Sequence, residues 1–387
     1  MDVLSGENIE SNSMTKMVMH RIFHPVGQGA FYTEIFQSVA RPRFTTVYDC
    51  GTETAAGNMD IPLSQQIQVF KYRLRNNEID LLFISHFHED HINGLDELLK
   101  STKVKRLVIP MLTEDVIITT RIRNLMVYGD DSRITDAIIQ NLYYGNGENE
   151  RFGEIIAVSP EIRGSEGEEQ SGGQSDGLLP KKVKTILSGK EIVEPDIFWK
   201  YIPFNSIDTS DQRAIDFVKL VRQIPGVFKG NGDLDVDEIL RNKRKELRSA
   251  YKKAMKGGND NLYTLVVEST PVDGVRVMPS NHEARCMYFG DFEPDGGPNV
   301  WQRFVSVYND YPEIGLVQVA HHGSQNNWRK ELLYSLGNRR YIISSGTTNG
   351  HHHPSYWVIR DIKRAGHSVS VVCEEQATEK CFRYHVR

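Results

Sequence analysis

"SHFHEDHINGLDELL", Ser85–Leu99, follows directly on the apolar run "IDLLFI" of Ile79–Ile84. That run is short and nearly continuous in Ile, Leu and Phe, the pattern of a strand buried on both faces of an α/β sheet. His86, His88 and His91 then leave the strand end together with Glu89 and Asp90, and Asn93-Gly94 turns the chain into the helical pattern "LDELL". Loops beyond strand ends are where α/β sheets present chemistry. Imidazole nitrogens and a carboxylate oxygen suit zinc or a similar transition metal, and the spacing H-x-H-x-D-H lets one short loop approach two adjacent ions. The chain has 13 histidines in 387 residues, so three within six positions stand far above its own density. A solvated loop with incidental histidines is the weaker reading.

Working outward, further segments end apolar runs in polar groups. They are "HPVGQGAFYTEIF" (His24–Phe36), "TVYDCGT" (Thr46–Thr52), "MYFGDF" (Met287–Phe292), "LVQVAHHGSQNNW" (Leu316–Trp328) and "YIISSGTTNGHHHP" (Tyr341–Pro354). With "HFHEDH" as signature loop, and in this order, they resemble the metallo-β-lactamase superfamily. Val-Gly-Gln-Gly, His-His-Gly-Ser and a late His-Pro make the chain most similar to the nuclease-like domain of bacterial DNA-uptake channel proteins (ComEC-type). Phosphorylcholine esterases of the same fold are also similar. The likeness covers roughly residues 17–110, 180–205 and 259–375. It implies an α/β fold, the four-layer αβ/βα sandwich, here with a helical insertion.

Composition sets outer limits. The formal net charge of −5 does not advertise a nucleic-acid binder, although a local basic patch can serve one. The four cysteines (Cys50, Cys286, Cys373, Cys381) lack C-x-x-C spacing, which argues against a disulfide scaffold. No run approaches the ~18 apolar residues of a membrane span. The opening "MDVLSGENIESNSMTK" has no basic start followed by an apolar core, so a cytoplasmic protein is expected. Residues 1–16 read as a flexible lead-in and 17–387 as one domain, with insertions at about 112–178 and 206–258. Within them, "EIRGSEGEEQSGGQSDG" (Glu161–Gly177) has the composition of a flexible loop. Glu238–Lys256 carries eight Lys/Arg against two Glu at helical spacing, either a solvated face or a phosphate-contacting helix.

The resemblance, carried residue by residue, gives His86 and His88 to a first metal and Asp90 and His91 to a second, with Asp291 bridging. A bridging carboxylate holds two ions roughly 3.5 Å apart. Most members supply a third histidine to the first metal from a segment between the signature loop and the bridge. This chain has no histidine from Ile92 through Asn281, and His282, in "MPSNHEA", reads as an exposed hairpin tip. His321 and His322 follow an apolar strand and are better placed: one for the metal, the other for substrate phosphate or support. His353, before Pro354, is expected at the second metal, with His351 and His352 as alternatives. Asp49 reads as a supporting carboxylate, and His20, His24, His367 and His385 as structural.

The implied function is a phosphodiesterase, a nuclease hydrolysing DNA or RNA by a hydroxide held between two divalent metals, zinc or manganese. Asp90 and His322 are the expected catalytic groups, and Asn261, Ser324 and Gln325 the expected phosphate contacts. The partner implied is nucleic acid or a nucleotide, with no membrane. The alternative is a small-molecule ester hydrolase: a phosphorylcholine-type esterase, lactonase or thioesterase. A non-enzymatic scaffold would need a decayed site, whereas every principal ligand type is present.

Overall fold

The computed structural model describes residues 17–39, 43–145, 151–162, 183–208, 212–256, 263–297 and 299–387. The lead-in 1–16 and most of the Glu161–Gly177 loop lie outside the described residues.

The first strands are β1 (Met17–Phe23), β2 (Phe31–Gln37), β3 (Phe44–Cys50), β4 (Glu78–Phe83), β5 (Lys103–Pro110), β6 (Phe152–Ile162) and β7 (Val183–Ser188). A second series follows: β8 (Ile192–Glu194), β9 (Trp199–Asn205), β10 (Leu265–Pro271), β11 (Val277–Met278), β12 (Cys286–Tyr288), β13 (Leu316–Gln318) and β14 (Arg340–Ser344). The last two are β15 (Ser368–Val372) and β16 (Lys380–Val386). They form a nine-stranded sheet, ordered β11-β16-β1-β2-β3-β4-β5-β6-β7, and a seven-stranded sheet, ordered β15-β14-β13-β12-β10-β9-β8. Strands β3 to β7 are mutually parallel, as are β12 to β15. The parallel strands matter for function, because loops at their carboxyl ends carry the site.

The helices are α1 (Leu63–Lys71), α2 (Glu89–Ile92), α3 (Leu95–Leu99), α4 (Glu114–Tyr128), α5 (Arg133–Tyr144), α6 (Arg213–Val221), α7 (Val236–Glu238), α8 (Arg244–Met255), α9 (Asn281–Ala284), α10 (Val300–Val307) and α11 (Tyr356–Arg364). One apolar layer, including Phe23, Tyr48, Leu81, Trp199, Val267 and Tyr288, fills the space between the sheets. A second packs Ile67, Leu82, Leu95, Leu107 and Leu142 between the first sheet and its helices. A third packs Val266, Met287, Phe304, Val317, Val358 and Ile362 outside the second sheet. Helix, sheet, sheet, helix is the metallo-β-lactamase arrangement.

A fourth apolar cluster joins Ile118, Ile122 and Leu125 of α4 to Phe217, Val221, Leu247 and Met255. Helix α4 is therefore buried on two sides. Its start follows from Thr113, whose side chain accepts from the Val116 N–H, and its end from Gly129 at φ +67°. Three features depart from the sequence reading. Strand β6 runs through the expected 112–178 insertion and pairs with both β5 and β7. Its Ile155–Val158 run is short and flanked by Gly153 and Pro160, which obscured it. β16 closes the first sheet against β1, a pairing too distant along the chain for local pattern to show. His282 is not a hairpin tip: it sits in α9, with Nδ1 2.7 Å from the Glu313 carbonyl and Nε2 3.2 Å from that of Asn338. Its ring locks two loops together.

Candidate metal centre

Strand β4 ends at Phe83, and Ile84–His88 carries the chain over the sheet edge into α2. This path needs close backbone contact with the loop after β3. A Cβ on Gly51 would come within 2.6 Å of the Asp90 and His91 carbonyl carbons, so only glycine lets α2 rest there. On the facing sheet, Gly290 (φ +54°) brings the end of β12 against Ser85, where a Cβ would sit 2.8 Å from the serine Cβ. These two glycines press the two strand mouths together. Asp291 thereby reaches the signature loop.

The side chains converge at very low exposure: His86 and His91 are 1% exposed and Asp291 3%. His91 Nε2 lies 3.2 Å from Asp291 Oδ1 and 3.5 Å from Asp90 Oδ2. His322 Nε2 is 3.0 Å from Asp90 Oδ2. On the other oxygen, His86 Nε2 is 3.5 Å and His321 Nε2 3.7 Å from Asp291 Oδ2. Donor atoms of three groups each lie within 4.8 Å of one another: His86–Asp90–His91, His86–His88–Asp291 and His91–Asp291–His322.

The far nitrogens explain why the near ones point inward. Asp49, fully buried, accepts from His91 Nδ1 at 2.8 Å and from the Ser85 amide and hydroxyl at 2.7 and 2.6 Å. With its own proton given to Asp49, Ser85 Oγ accepts from His86 Nδ1 at 2.9 Å. His322 Nδ1 donates to the Ser344 carbonyl, and His321 Nδ1 to Asn327 Oδ1, both at 2.9 Å. Asn327 is itself fixed by donating to the Asp291 and Phe292 carbonyls. An imidazole whose Nδ1 carries the proton offers its Nε2 lone pair, which is how outer partners prepare metal ligands. His321 and His322 hold this orientation in left-handed backbone, at φ +48° and +54°. Such conformations cost about 1–3 kcal/mol each and gather at functional sites.

Two atoms decide what the arrangement is for. His86 Nε2 and His91 Nε2 are buried and have no hydrogen-bond partner. Burial of an unmet polar atom costs about 1–3 kcal/mol, and here the lone pairs aim at carboxylates. A divalent cation satisfies both sides at once. The residues present thus fit a divalent metal, held by imidazole nitrogens and carboxylate oxygens.

Charge follows the same geometry. Burial and the neighbouring His91 hold His86 well below the usual imidazole range, and burial with Arg123 does so for His88. Burial alone would lower His91, but Asp90, Asp291 and Asp49 outweigh it and raise it well above that range. Burial would raise Asp291, yet His321, His91 and His86 hold its carboxyl well below the usual range.

The remaining expected residues divide. His353 stands beside the cluster, its ring centroid 5.6 Å from His321 and 6.5 Å from His322, and burial lowers it to about 4. It joins none of the three close donor groups, whereas His322 joins the one formed with His91 and Asp291. His351 and His352 are exposed. Ser324 is buried and spends its hydroxyl accepting from the Asn326 N–H, while Gln325 is exposed. Asn261 lies outside the described residues. Sequence reading missed what α4 brings. Asn124 Nδ2 donates to the Phe87 carbonyl at 2.7 Å, Arg123 lies over the Tyr128 ring at 5.9 Å, and Tyr128 bonds Glu53. Its one available signal was a fully buried Asn inside an apolar helical stripe. The basic helix α8 serves α4: Arg244 and Arg248 donate to the Met126 carbonyl, leaving Lys245, Lys252 and Lys253 exposed.

Residues 39–157, which include the signature loop, match the family model of the metallo-beta-lactamase superfamily. The chain is 32% identical over 98 residues to ComE operon protein 3 of Bacillus subtilis, covering 25% of this chain and 12% of that protein. It is 30% identical over 94 residues to ribonuclease J of Mycoplasma pneumoniae, covering 22% of this chain and 16% of that one. The chain thus spans only a small part of both curated relatives. Among solved structures, the fold protein YhfI of Bacillus subtilis is 10% identical at a TM-score of 0.38, over 95% of this chain and 99% of that one. A long form RNase Z from yeast is 11% identical at a TM-score of 0.31, over 85% of this chain and 36% of that one.

Proposed function

We propose, from the premise that the chain belongs to the metallo-β-lactamase superfamily, that it is a dinuclear metal-dependent hydrolase acting as a phosphodiesterase on nucleic acid. The observation that carries this reading is the division of donors about Asp291. His86, His88 and His321 would hold one ion with Oδ2, and Asp90, His91 and His322 the other with Oδ1. When bound, the ions supply Lewis acidity and an acidified water as nucleophile. His321 takes the place of the missing third histidine, and His322 fills the second half.

The chain's own residues supply the rest. Asp49 and Ser85 hold protons at Nδ1 of His91 and His86, so neither ring can turn its lone pair away. Asp90 and His322 are joined at 3.0 Å; with both nitrogens of His322 committed, Asp90 is the group of that pair that keeps a carboxylate oxygen able to take up a proton. On this reading His353 at the rim and exposed Gln325 would meet the substrate rather than the ions.

The likeness to ribonuclease J and to DNA-uptake domains favours nucleic acid over a small ester. Among the described residues no helix is long and apolar enough to cross a membrane. Labelled single- and double-stranded DNA and RNA, incubated with the protein and zinc, manganese or magnesium, should be cut. Turnover of a small ester with no cleavage of any polynucleotide would replace this reading with the small-molecule hydrolase.

A further inference from the structure

Helix α11 begins where the site ends. Ser355 caps it by accepting from the Trp357 N–H, and the Ser355 amide donates at 2.9 Å to the carbonyl of Gly323, next to His322. Its inner face, Val358 and Ile362, is buried in the core. Its outer face is unusual: Tyr356 is 69% and Trp357 47% exposed, three and four residues along the chain from His353. The other three tryptophans, Trp199, Trp301 and Trp328, are buried or half-buried. The two exposed rings meet edge to face at 5.4 Å, and the Arg360 guanidinium lies over Trp357 at 4.2 Å while also pairing with Asp361 at 2.8 Å.

Helical spacing extends this patch into a track. Trp357, Arg360 and Arg364 stand at i, i+3 and i+7 and so share one line, with Tyr356 and exposed Lys363 beside it. From Trp357 to Arg364 the track runs about 10 Å at ~1.5 Å per residue, the scale of a short single-stranded segment. Aromatic faces offered to solvent beside cations are what stack unpaired bases and meet a phosphate backbone. A duplex keeps its bases stacked on each other and gains nothing from the rings. The row of Arg360, Lys363 and Arg364 complements the regularly spaced phosphates of a nucleic acid.

We infer that the outer face of α11 binds single-stranded nucleic acid and feeds it to the metal centre across His353. The inference rests on the phosphodiesterase reading and names its substrate form.

Fluorescence anisotropy with a short labelled phosphorothioate oligonucleotide, as single strand and as duplex, DNA and RNA, tests it. Trp357→Ala should weaken single-strand binding tenfold or more and duplex binding little, while Trp357→Phe restores most of it. Arg360→Gln with Arg364→Gln should lower the log–log salt slope by about 1.4, at ~0.7 per single-strand phosphate contact. Tyr334→Ala, which removes another exposed ring outside the track, should bind as the parent does. Melting curves confirm that each variant is folded. If the parent cuts nucleic acid and both track variants bind single strands within twofold of it, the track is wrong and the phosphodiesterase stands. If the parent neither binds nor cuts any polynucleotide, the phosphodiesterase reading itself falls. Should Trp357→Ala change only the oligomeric state, the face is an interface between copies and the inference is overturned.

Discussion

Two of the buried charge clusters among the described residues are finished differently. Between the sheets, Glu34 accepts from Arg21 Nε at 2.7 Å, from the Tyr201 and Tyr288 hydroxyls at 2.9 Å each, and from Ser269 at 2.8 Å. Arg21 spends its other donors on the Ala284 carbonyl and the Ser269 hydroxyl. At the sheet edges, His86 and His91 are as deeply buried, yet each keeps a bare Nε2 facing a carboxylate. Burial is therefore not what marks a site. Incomplete satisfaction is. The first cluster is closed, and no ligand could improve it. The second has lone pairs arranged around a space that a cation would complete.

The sharpest way to break this contrast is to remove the shared carboxylate. Asp291→Ala should cost both ions, since each proposed half loses its oxygen, and metal analysis should fall from about two per chain to near zero. A variant that keeps both would show that Asp291 does not bridge. Glu34→Ala should do the opposite. It leaves Arg21 buried and uncompensated, which costs about 3–5 kcal/mol, while the folded fraction keeps its metals. Denaturant unfolding, with an unchanged slope, reads that loss.

A finer test divides the centre. If His321 and His322 serve different ions, each single alanine variant keeps one metal per chain and the double variant keeps none. If both serve one ion, the double variant still holds one. His353→Ala should leave metal content unchanged.

The two clusters also differ in how far sequence reveals them. The signature loop is local: six consecutive residues beyond an apolar strand carry four candidate ligand side chains, and a metal-binding chemistry can be read from their spacing. Arg21 and Glu34 hide in strands. They occupy inward positions in line with Met19 and Phe23 on β1 and with Tyr32 and Phe36 on β2, and they face each other across the pair. Only a charge at each of two facing core positions betrays them. The differing orientations of His321 and His322 were not legible either, because they depend on left-handed backbone and on Ser344 and Asn327, which arrive from other loops. Distance in sequence, more than residue type, set what could be foreseen.

The smallest expected effect tests whether an outer residue tunes the open cluster. Asp49 touches no ion in the proposed centre but accepts the His91 Nδ1 proton. Asp49→Asn preserves shape, and asparagine tolerates the positive φ of 56° found there better than most residues. Its amide still offers an oxygen to the Ser85 N–H, but it then turns an NH2 toward the His91 Nδ1–H. Two donors cannot share that contact, so His91 must move its proton to Nε2 and lose the lone pair aimed at the ion. Loss of such a partner weakens metal binding by ~10–100-fold. The weakening should fall hardest on the His91 half, because His86 feels the change only indirectly, through the Ser85 hydroxyl that loses the same acceptor oxygen, and His321 is held through Asn327. A calorimetric metal titration should accordingly turn from one steep phase into two, one near the parent affinity and one about a log unit or two weaker. Equal weakening of both phases would mean that Asp49 supports the loop as a whole, and an unchanged titration would mean that His91 needs no help to present its nitrogen.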